Sequence, residues 1–218
     1  MGETIELEAA DGHKFSAYKA APAGTPKGAV VIVQEIFGVN EHIQSVCDGY
    51  AREGFLAIAP ALFDRVAPDI TLGYEAEDIQ KGRELMMQVD EKNALADIDA
   101  AAEAVVGNGD ITVIGYCWGG SLAYLAACRL SSVDKAVGYY GGKIAKDIGE
   151  EPKVPIILHF GDSDGSIPME DVEKVKAARP DIPVYVYHAG HGFNCDLRGS
   201  YDAASSKLAL ERTLEFIS

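Results

Sequence analysis

The sequence lacks the marks of several large classes of protein. No run of apolar residues approaches the roughly 18 that a membrane-spanning helix needs, so a membrane protein is not expected. No period of about 20 to 50 residues repeats and no low-complexity segment interrupts the chain, which excludes solenoids and tethered modules. The four cysteines lie far apart with no C-x-x-C pair, so neither a zinc site nor a disulfide framework is indicated. We therefore expect one domain spanning residues 1–218 that works without a metal or an organic cofactor.

Positive charge is also scarce. The chain has 19 lysines and arginines against 34 aspartates and glutamates, which gives a formal net charge of −15. This sign opposes long-range attraction to nucleic acid and to anionic lipid, so neither is expected as a partner. A small anionic substrate is not excluded, because charges are screened over about 8 Å at physiological salt and a few cations can dominate one pocket. The first residues contain no basic segment followed by an apolar stretch, and we expect a cytoplasmic protein.

What is present is an alternation of strand and helix patterns. Two half-polar segments, 4–8 and 14–20, surround the turn Asp11-Gly12 and predict an antiparallel hairpin of edge strands. Residues 29–33 are an uninterrupted β-branched apolar run, typical of a central strand in a parallel sheet. Further strands are predicted at 55–59, 111–114, 136–140, 154–160 and 184–188. Helices are predicted at 41–53, 74–89, 91–106, 121–130, 169–179 and 203–217.

This alternation predicts an α/β protein with a mostly parallel, twisted sheet and helices on both faces. Sheets of this kind bind ligands at the carboxyl ends of their strands. The loops to inspect are therefore those that follow Val33, Ile114, Phe160 and His188.

The loop after the strand at 111–114 reads GYCWGG from residue 115 and leads into a helix. Glycines two positions to either side of Cys117 are typical of a nucleophile elbow, because larger side chains would collide with the neighbouring strand and helix. The amino end of the helix that begins after Cys117 also favours its thiolate. The alternative is a tight turn that contains a buried structural cysteine.

A catalytic cysteine needs a base, since a thiol with a pKa of about 8.5 is mostly protonated at neutral pH, and the base needs an orienting carboxylate. His191, between two glycines in the loop after the strand at 184–188, is the candidate base, whereas His188 is assigned to the strand. Asp164 is the candidate acid and is preferred to Asp162 in the same loop. For either aspartate alone, a role in accepting local backbone N–H groups of a turn is the simpler interpretation.

The order Cys117, Asp164, His191 matches the nucleophile, acid, histidine order of α/β-hydrolases, with cysteine in the usual serine position. By the same template, the backbone N–H groups of Trp118 and Ile36 would form the oxyanion hole. A carboxylate directly after an apolar strand also needs a partner or solvent, because burial of an unpaired charge is costly. That carboxylate belongs to Glu35 in this chain.

The motifs QEIFGVN, GYCWGG, AVGYYGG, HFGDSDGSIP and AGHGF occur in this order along nearly the whole chain. Together they resemble the dienelactone hydrolase family. The resemblance implies an α/β-hydrolase fold without a large lid and a triad of Cys117, His191 and Asp164. It also implies that Glu35 lies near a neutral Cys117 thiol at rest and takes part when substrate binding produces the thiolate. The implied substrates are enol lactones such as dienelactone, or related carboxylic esters.

One departure concerns the two arginines that bind the substrate carboxylate in family members that hydrolyse dienelactone. One of these positions is Cys195 here, and the other falls near residue 79 or 80. Lys81, Arg83 and Arg198 are candidate substitutes nearby. Because a charged hydrogen bond contributes about 1.5 to 3 kcal/mol, loss of the original pair predicts a broader or different ester or lactone specificity.

Three aromatic residues near the strand ends are further candidates for contact with substrate. These are Phe37, Tyr116 and Tyr140. His13 and His42, by contrast, are expected to be solvated.

Three alternative functions stay open. A class I glutamine amidotransferase also has a cysteine elbow, but there an acid follows the histidine by two residues, where this chain has Phe193. A non-catalytic ligand-binding protein on a hydrolase scaffold is expected to lack a triad member, and none is missing. A broad-specificity carboxylesterase that does not act on dienelactone differs only in substrate. In each case a small molecule is the expected partner, bound by a monomer or a small homo-oligomer.

Overall fold

An eight-stranded sheet forms the centre of the structure, a computed structural model that describes residues 2–218. The strands in chain order are β1 (Glu3–Glu8), β2 (Lys14–Ala20), β3 (Ala29–Val33), β4 (Leu56–Pro60), β5 (Ile111–Tyr116), β6 (Lys135–Tyr139), β7 (Ile156–Gly161) and β8 (Val184–Tyr187). Their order across the sheet is β1-β2-β4-β3-β5-β6-β7-β8. β1 pairs with β2 and β2 with β4 in antiparallel fashion, and every other neighbouring pair is parallel. The predicted mostly parallel sheet is confirmed.

Helices connect the parallel strands. They are α1 (Glu41–Arg52), α2 (Ala76–Met86), α3 (Glu91–Glu103), α4 (Trp118–Arg129), α5 (Ile144–Asp147), α6 (Met169–Ala178) and α7 (Ala203–Ile217), with a 3-10 helix at Leu62–Arg65. Because β4 and β5 lie on opposite sides of β3, right-handed crossovers through α1 and α3 place these helices on opposite faces of the sheet. Among residues 2–218, no helix has the length and apolar character that crossing a membrane requires.

Burial of the strands follows their position in the sheet. All residues of β3, β4, β5 and β7 are buried, as expected for parallel strands covered by helices on both sides. β1 lies at the edge and none of its residues is buried. β2 was also predicted to be an edge strand, and that prediction is wrong: β2 pairs with β1 on one side and with β4 on the other. A polar alternation shows only that one face is partly solvated, not that a neighbouring strand is missing.

Several element boundaries differ from the predicted ones for local reasons. α4 begins at Trp118 rather than at residue 121, because the helix starts directly at the elbow. α2 begins at Ala76, where Glu75 and Asp78 form a capping box. The helix α5 was not predicted, since four residues are too few to show a helical period.

Candidate active site

Cys117 lies at the turn between β5 and α4 in a strained backbone conformation. Its φ is 56°, in the left-handed region that residues other than glycine seldom adopt. A Cβ on Gly115 would lie 1.8 Å from the Gly119 carbonyl oxygen, and a Cβ on Gly119 would lie 2.3 Å from the Val33 carbonyl oxygen. Only glycine fits these two positions, so the elbow is packed against the end of β3.

The imidazole of His191 connects the Cys117 thiol to a carboxylate. Its Nε2 lies 3.1 Å from Cys117 Sγ, and its Nδ1–H donates to Asp164 Oδ2 at 2.8 Å. Asp164 is buried, and its Oδ1 accepts hydrogen bonds from the backbone N–H groups of Ser166 and Ile167. The aspartate is therefore a turn residue and the histidine's partner at once. The structure brings the three predicted residues together.

The other aspartate and histidine of these loops form a separate pair at the surface. His188 Nδ1 lies 3.0 Å from Asp162 Oδ2, and the His188 side chain is 92% exposed. β8 ends at Tyr187, so His188 lies just beyond the strand rather than on it. The preference for Asp164 over Asp162 agrees with this geometry.

The environment of His191 changes its affinity for protons. Burial by itself lowers the pKa of the imidazole, but the hydrogen bonds to Asp164 and to Cys117 outweigh burial and raise the pKa to about 10. An imidazole held this way is a strong acceptor for the thiol proton.

Two backbone N–H groups at the predicted oxyanion hole have no acceptor within the described residues. Trp118 is the first residue of α4 and Ile36 lies in the loop after β3, and among residues 2–218 neither N–H donates a hydrogen bond. The Gly119 N–H donates to the Gln34 carbonyl at 3.2 Å, which ties this loop to the elbow. A Cβ on Gly82 of α2 would lie 2.1 Å from the Ile36 carbonyl oxygen, so α2 contacts the loop directly. Sequence reasoning missed Gly82, because a glycine inside a helix carries no sign of what packs against it.

Glu35 is buried and paired with an arginine. It is 1% exposed, and Arg198 Nη1 donates to its Oε1 at 3.2 Å. The guanidinium also lies over the rings of Phe37 and Tyr74, at 5.5 and 5.9 Å from the centroids. The expectation that Glu35 needs a partner is met. In the described chain no hydrogen bond joins Glu35 to Cys117, and the thiol is contacted by His191 instead.

A cavity of about 250 Å³ opens beside the triad. It is lined by Ile36, Phe37, Ile79, Arg83, Met86, Cys117, Ser166, His191 and Arg198. Of the residues proposed for substrate contact, Phe37, Arg83 and Arg198 therefore border the cavity. Two guanidinium groups are present, although at neither of the family's arginine positions.

Three other candidates do not line this cavity. Lys81 is exposed on α2, because the buried face of that helix is formed by Gly82 and Leu85. Tyr116 is buried beneath the elbow and borders a different cavity, between α1 and α7. Tyr140 is fully buried, and its ring packs edge-on against the His191 imidazole at 5.1 Å, so it supports the histidine from behind.

The prediction of solvated histidines is also wrong. His42 in the first turn of α1 is only 3% exposed, and its Nδ1 lies 3.0 Å from Asp196 Oδ1. His13 is half-buried and stacks on Phe15. His42 is covered by a segment far along the chain, which a local polar pattern does not reveal.

Comparison with known proteins agrees with this geometry. A family model described as the dienelactone hydrolase family matches residues 15–218. A carboxymethylenebutenolidase of Pseudomonas putida is 34% identical, and the match covers 100% of this chain and 96% of the relative.

Solved structures show the same architecture. A Klebsiella pneumoniae protein provisionally described as a dienelactone hydrolase superposes with a TM-score of 0.83 and 31% identity, over 99% of this chain and 98% of the other. An esterase of Pyrococcus furiosus is 14% identical with a TM-score of 0.71, over 100% and 91% of the two chains, a likeness that concerns the fold alone.

Proposed function

Because the chain belongs to the dienelactone hydrolase family and has the α/β-hydrolase fold, we propose that it opens lactones or cleaves carboxylic esters with Cys117 as the nucleophile. His191 is the proposed general base, and Asp164 holds its ring. The observation that supports this most directly is the row of contacts from Cys117 Sγ through the imidazole to Asp164 Oδ2, at 3.1 and 2.8 Å.

Acylation begins when His191 takes the thiol proton and the sulfur attacks the substrate carbonyl carbon. A carbon–sulfur bond forms, and the carbonyl electron pair moves to oxygen. When this tetrahedral intermediate collapses, the bond to the alkoxy or enol oxygen breaks, and that oxygen takes the proton from His191 Nε2. In a lactone the released hydroxyl stays attached to the acyl group, so the ring opens and the whole molecule remains on the enzyme.

The negative oxygen of the intermediate is proposed to accept hydrogen bonds from the N–H groups of Trp118 and Ile36. Both donors are backbone groups of the contact between the elbow and the loop after β3, so they need little rearrangement during the reaction. Removal of one such donor typically costs about 10²- to 10³-fold in kcat.

Deacylation repeats the same steps with water. His191 takes a proton from a water molecule as its oxygen attacks the thioester carbon, and the carbon–sulfur bond then breaks. The free acid leaves, and the sulfur recovers its proton.

Glu35 is proposed to act through its ion pair with Arg198. A substrate carboxylate that binds Arg198 would leave Glu35 buried without its counter-charge, so the Glu35 carboxylate would need a new partner. Glu35 would then help to remove the Cys117 proton only when such a substrate is present.

The pocket also bears on the choice of substrate. Arg198 is paired with Glu35, and Arg83 is exposed at the cavity rim. The site should therefore bind a substrate carboxylate more weakly than two unpaired buried arginines would. We therefore propose a broad ester and lactone specificity with at most a modest preference for anionic substrates.

A substrate panel tests this specificity. Dienelactone, neutral lactones and neutral aryl esters are compared in wild type and in Arg83→Gln. We expect kcat/KM values within about tenfold of one another in wild type and a threefold to tenfold loss in the variant for the anionic lactone alone. Gln80→Ala, at an exposed position of the same helix, is the matched control. A preference for dienelactone of a thousandfold would contradict the proposal.

Cys117→Ala tests the nucleophile. We expect kcat to fall at least about 10³-fold, because alanine has no sulfur to attack the substrate carbonyl. Mass spectrometry of wild type mixed with a slow lactone should show an adduct of the full lactone mass on the peptide that contains Cys117. Cys47→Ala, at a buried cysteine in α1, controls for loss of a thiol elsewhere. Turnover retained in Cys117→Ala would contradict the proposal. Binding of the substrate without any turnover in wild type would favour the ligand-binding alternative.

A further inference from the structure

Three potential metal ligands meet behind the substrate cavity. Glu35 follows β3, His42 lies in α1, and Cys195 lies between β8 and α7, so three separate segments supply them. One ligand atom from each lies within 4.8 Å of the other two, and all three residues are buried. None of the three atoms belongs to the triad.

Two polar atoms of these three side chains have no hydrogen-bond partner among residues 2–218. In the described chain, Glu35 Oε2 and His42 Nε2 are buried and make no hydrogen bond. Their side chains are 1% and 4% exposed. Because a buried polar atom without a partner is destabilising, two such atoms in one cluster point to a bound species that they share.

The other polar atom of Glu35 and of His42 already has a hydrogen-bond partner. Arg198 Nη1 donates to Glu35 Oε1, and His42 Nδ1–H donates to Asp196 Oδ1 at 3.0 Å. A histidine that ligates a metal through one nitrogen usually donates its other N–H to a carboxylate or carbonyl. His42 is therefore oriented as a ligand, with Nε2 as its free lone pair.

We propose that Glu35 Oε2, His42 Nε2 and Cys195 Sγ form a binding site for Zn²⁺. A mixed set of carboxylate, imidazole and thiolate is one that zinc takes, with ligands at about 2.0 to 2.3 Å. Tetrahedral ligands at those distances are roughly 3.3 to 3.8 Å apart, so the cluster needs to close by about 1 Å. Rotations of the three side chains would have to supply that movement, and water would take the fourth position.

The proton and charge balance is simple. Cys195 loses its proton to solvent as the sulfur–zinc bond forms, and no atom is oxidised or reduced. The two added positive charges are then offset by the new thiolate and by the Glu35 carboxylate, while Arg198 and Asp196 offset one another.

Cobalt titration of the whole protein tests the site. Co²⁺ replaces zinc in such sites and, when bound by a thiolate, gives a near-ultraviolet charge-transfer band and visible d–d bands. We expect one equivalent of CoCl₂ to produce these bands and one equivalent of ZnCl₂ to remove them. Cys195→Ala should abolish the charge-transfer band. Asp196→Asn, whose side chain is 59% exposed and so changes the fold little, should weaken binding about 10- to 100-fold.

Cys117→Ala separates this site from the triad. The bands should persist in that variant, since Cys117 and His191 are not ligands here. Their loss in Cys117→Ala, their persistence in Cys195→Ala, or their absence in wild type would each overturn the proposal. Circular dichroism checks that each variant is folded. If Cys195→Ala does not fold, the loss of affinity in Asp196→Asn is the deciding measurement. No outcome depends on hydrolytic activity.

Discussion

At the scale of single residues, the site depends on how Asp164 binds the imidazole of His191. One carboxylate oxygen of Asp164 binds the imidazole, and the other anchors the turn at Ser166 and Ile167. The same side chain thus fixes the position of the loop and raises the proton affinity of the His191 imidazole.

Replacing Asp164 by asparagine separates these two roles. The amide oxygen can still accept from the turn, but the negative charge beside the imidazole is lost. We expect the pKa of His191 to fall from about 10 and kcat to fall about 10³-fold or more. Titration of the ring by NMR and ester turnover measure the two effects.

Asp162→Asn is the matched control. It removes the partner of the exposed His188, whose pKa is raised by that carboxylate, and should lower the pKa of His188 alone. Turnover should stay at the wild-type level. Equal losses of activity in the two variants would contradict the choice of Asp164.

At the scale of elements, close backbone contacts between β3, β5 and α4 position the two N–H groups of the proposed oxyanion hole. The Gly119 N–H donates to the Gln34 carbonyl, and because glycine has no side chain the Val33 carbonyl can lie close to its Cα. The glycine spacing of the elbow was readable from the sequence, because the turn tolerates few residue types. No local pattern encodes which loop approaches the elbow, because that depends on contacts between distant segments.

Gly119→Ala tests this contact. The added Cβ would lie 2.3 Å from the Val33 carbonyl oxygen and 2.6 Å from that of Gln34, so the loop must move away from the elbow. We expect a loss of stability of about 3 kcal/mol by urea denaturation and a fall in kcat of at least about 100-fold. Gly149→Ala, where nothing lies within 4 Å of the new Cβ, should change neither. Similar results for both variants would show that the contact is unimportant.

At the scale of the whole molecule, the buried residues from Ala17 to Ile217 form one continuous hydrophobic cluster around the sheet. This supports the proposal that residues 1–218 act as one domain. Within that core, His159 of β7 is fully buried and contacts the hydroxyl groups of Tyr187 and Thr213. Burial, together with the positive charge of Arg212, lowers the pKa of His159 to about 3.

This histidine should make the protein sensitive to acid. Between pH 6.5 and about 3 the unfolded chain protonates His159 and the folded chain does not, so the unfolded state binds more protons there and stability falls as pH falls. The contribution is up to about 1.4 kcal/mol per pH unit. His159→Gln should flatten the pH dependence of the urea midpoint in this range by that amount.

His188→Gln serves as the opposite case. The pKa of His188 is raised, so its stabilising effect is present at low pH and is lost only as pH rises through the folded-state pKa. His188→Gln should therefore lose stability with falling pH as steeply as wild type does below pH 6.5. If His159→Gln and wild type lose stability in parallel below pH 6.5, the buried histidine is not the cause.

The sequence by itself determined the class of fold, the elbow at Cys117 and the order of the three candidate catalytic residues, because hydrophobic periodicity and tight turns are local properties. Tertiary structure decided which aspartate reaches His191, that Arg198 pairs with Glu35, and that Tyr116 and His42 are buried. Those outcomes depend on contacts between residues far apart in the chain, such as the 74 positions between Cys117 and His191. Only packing of the whole sheet sets such distances.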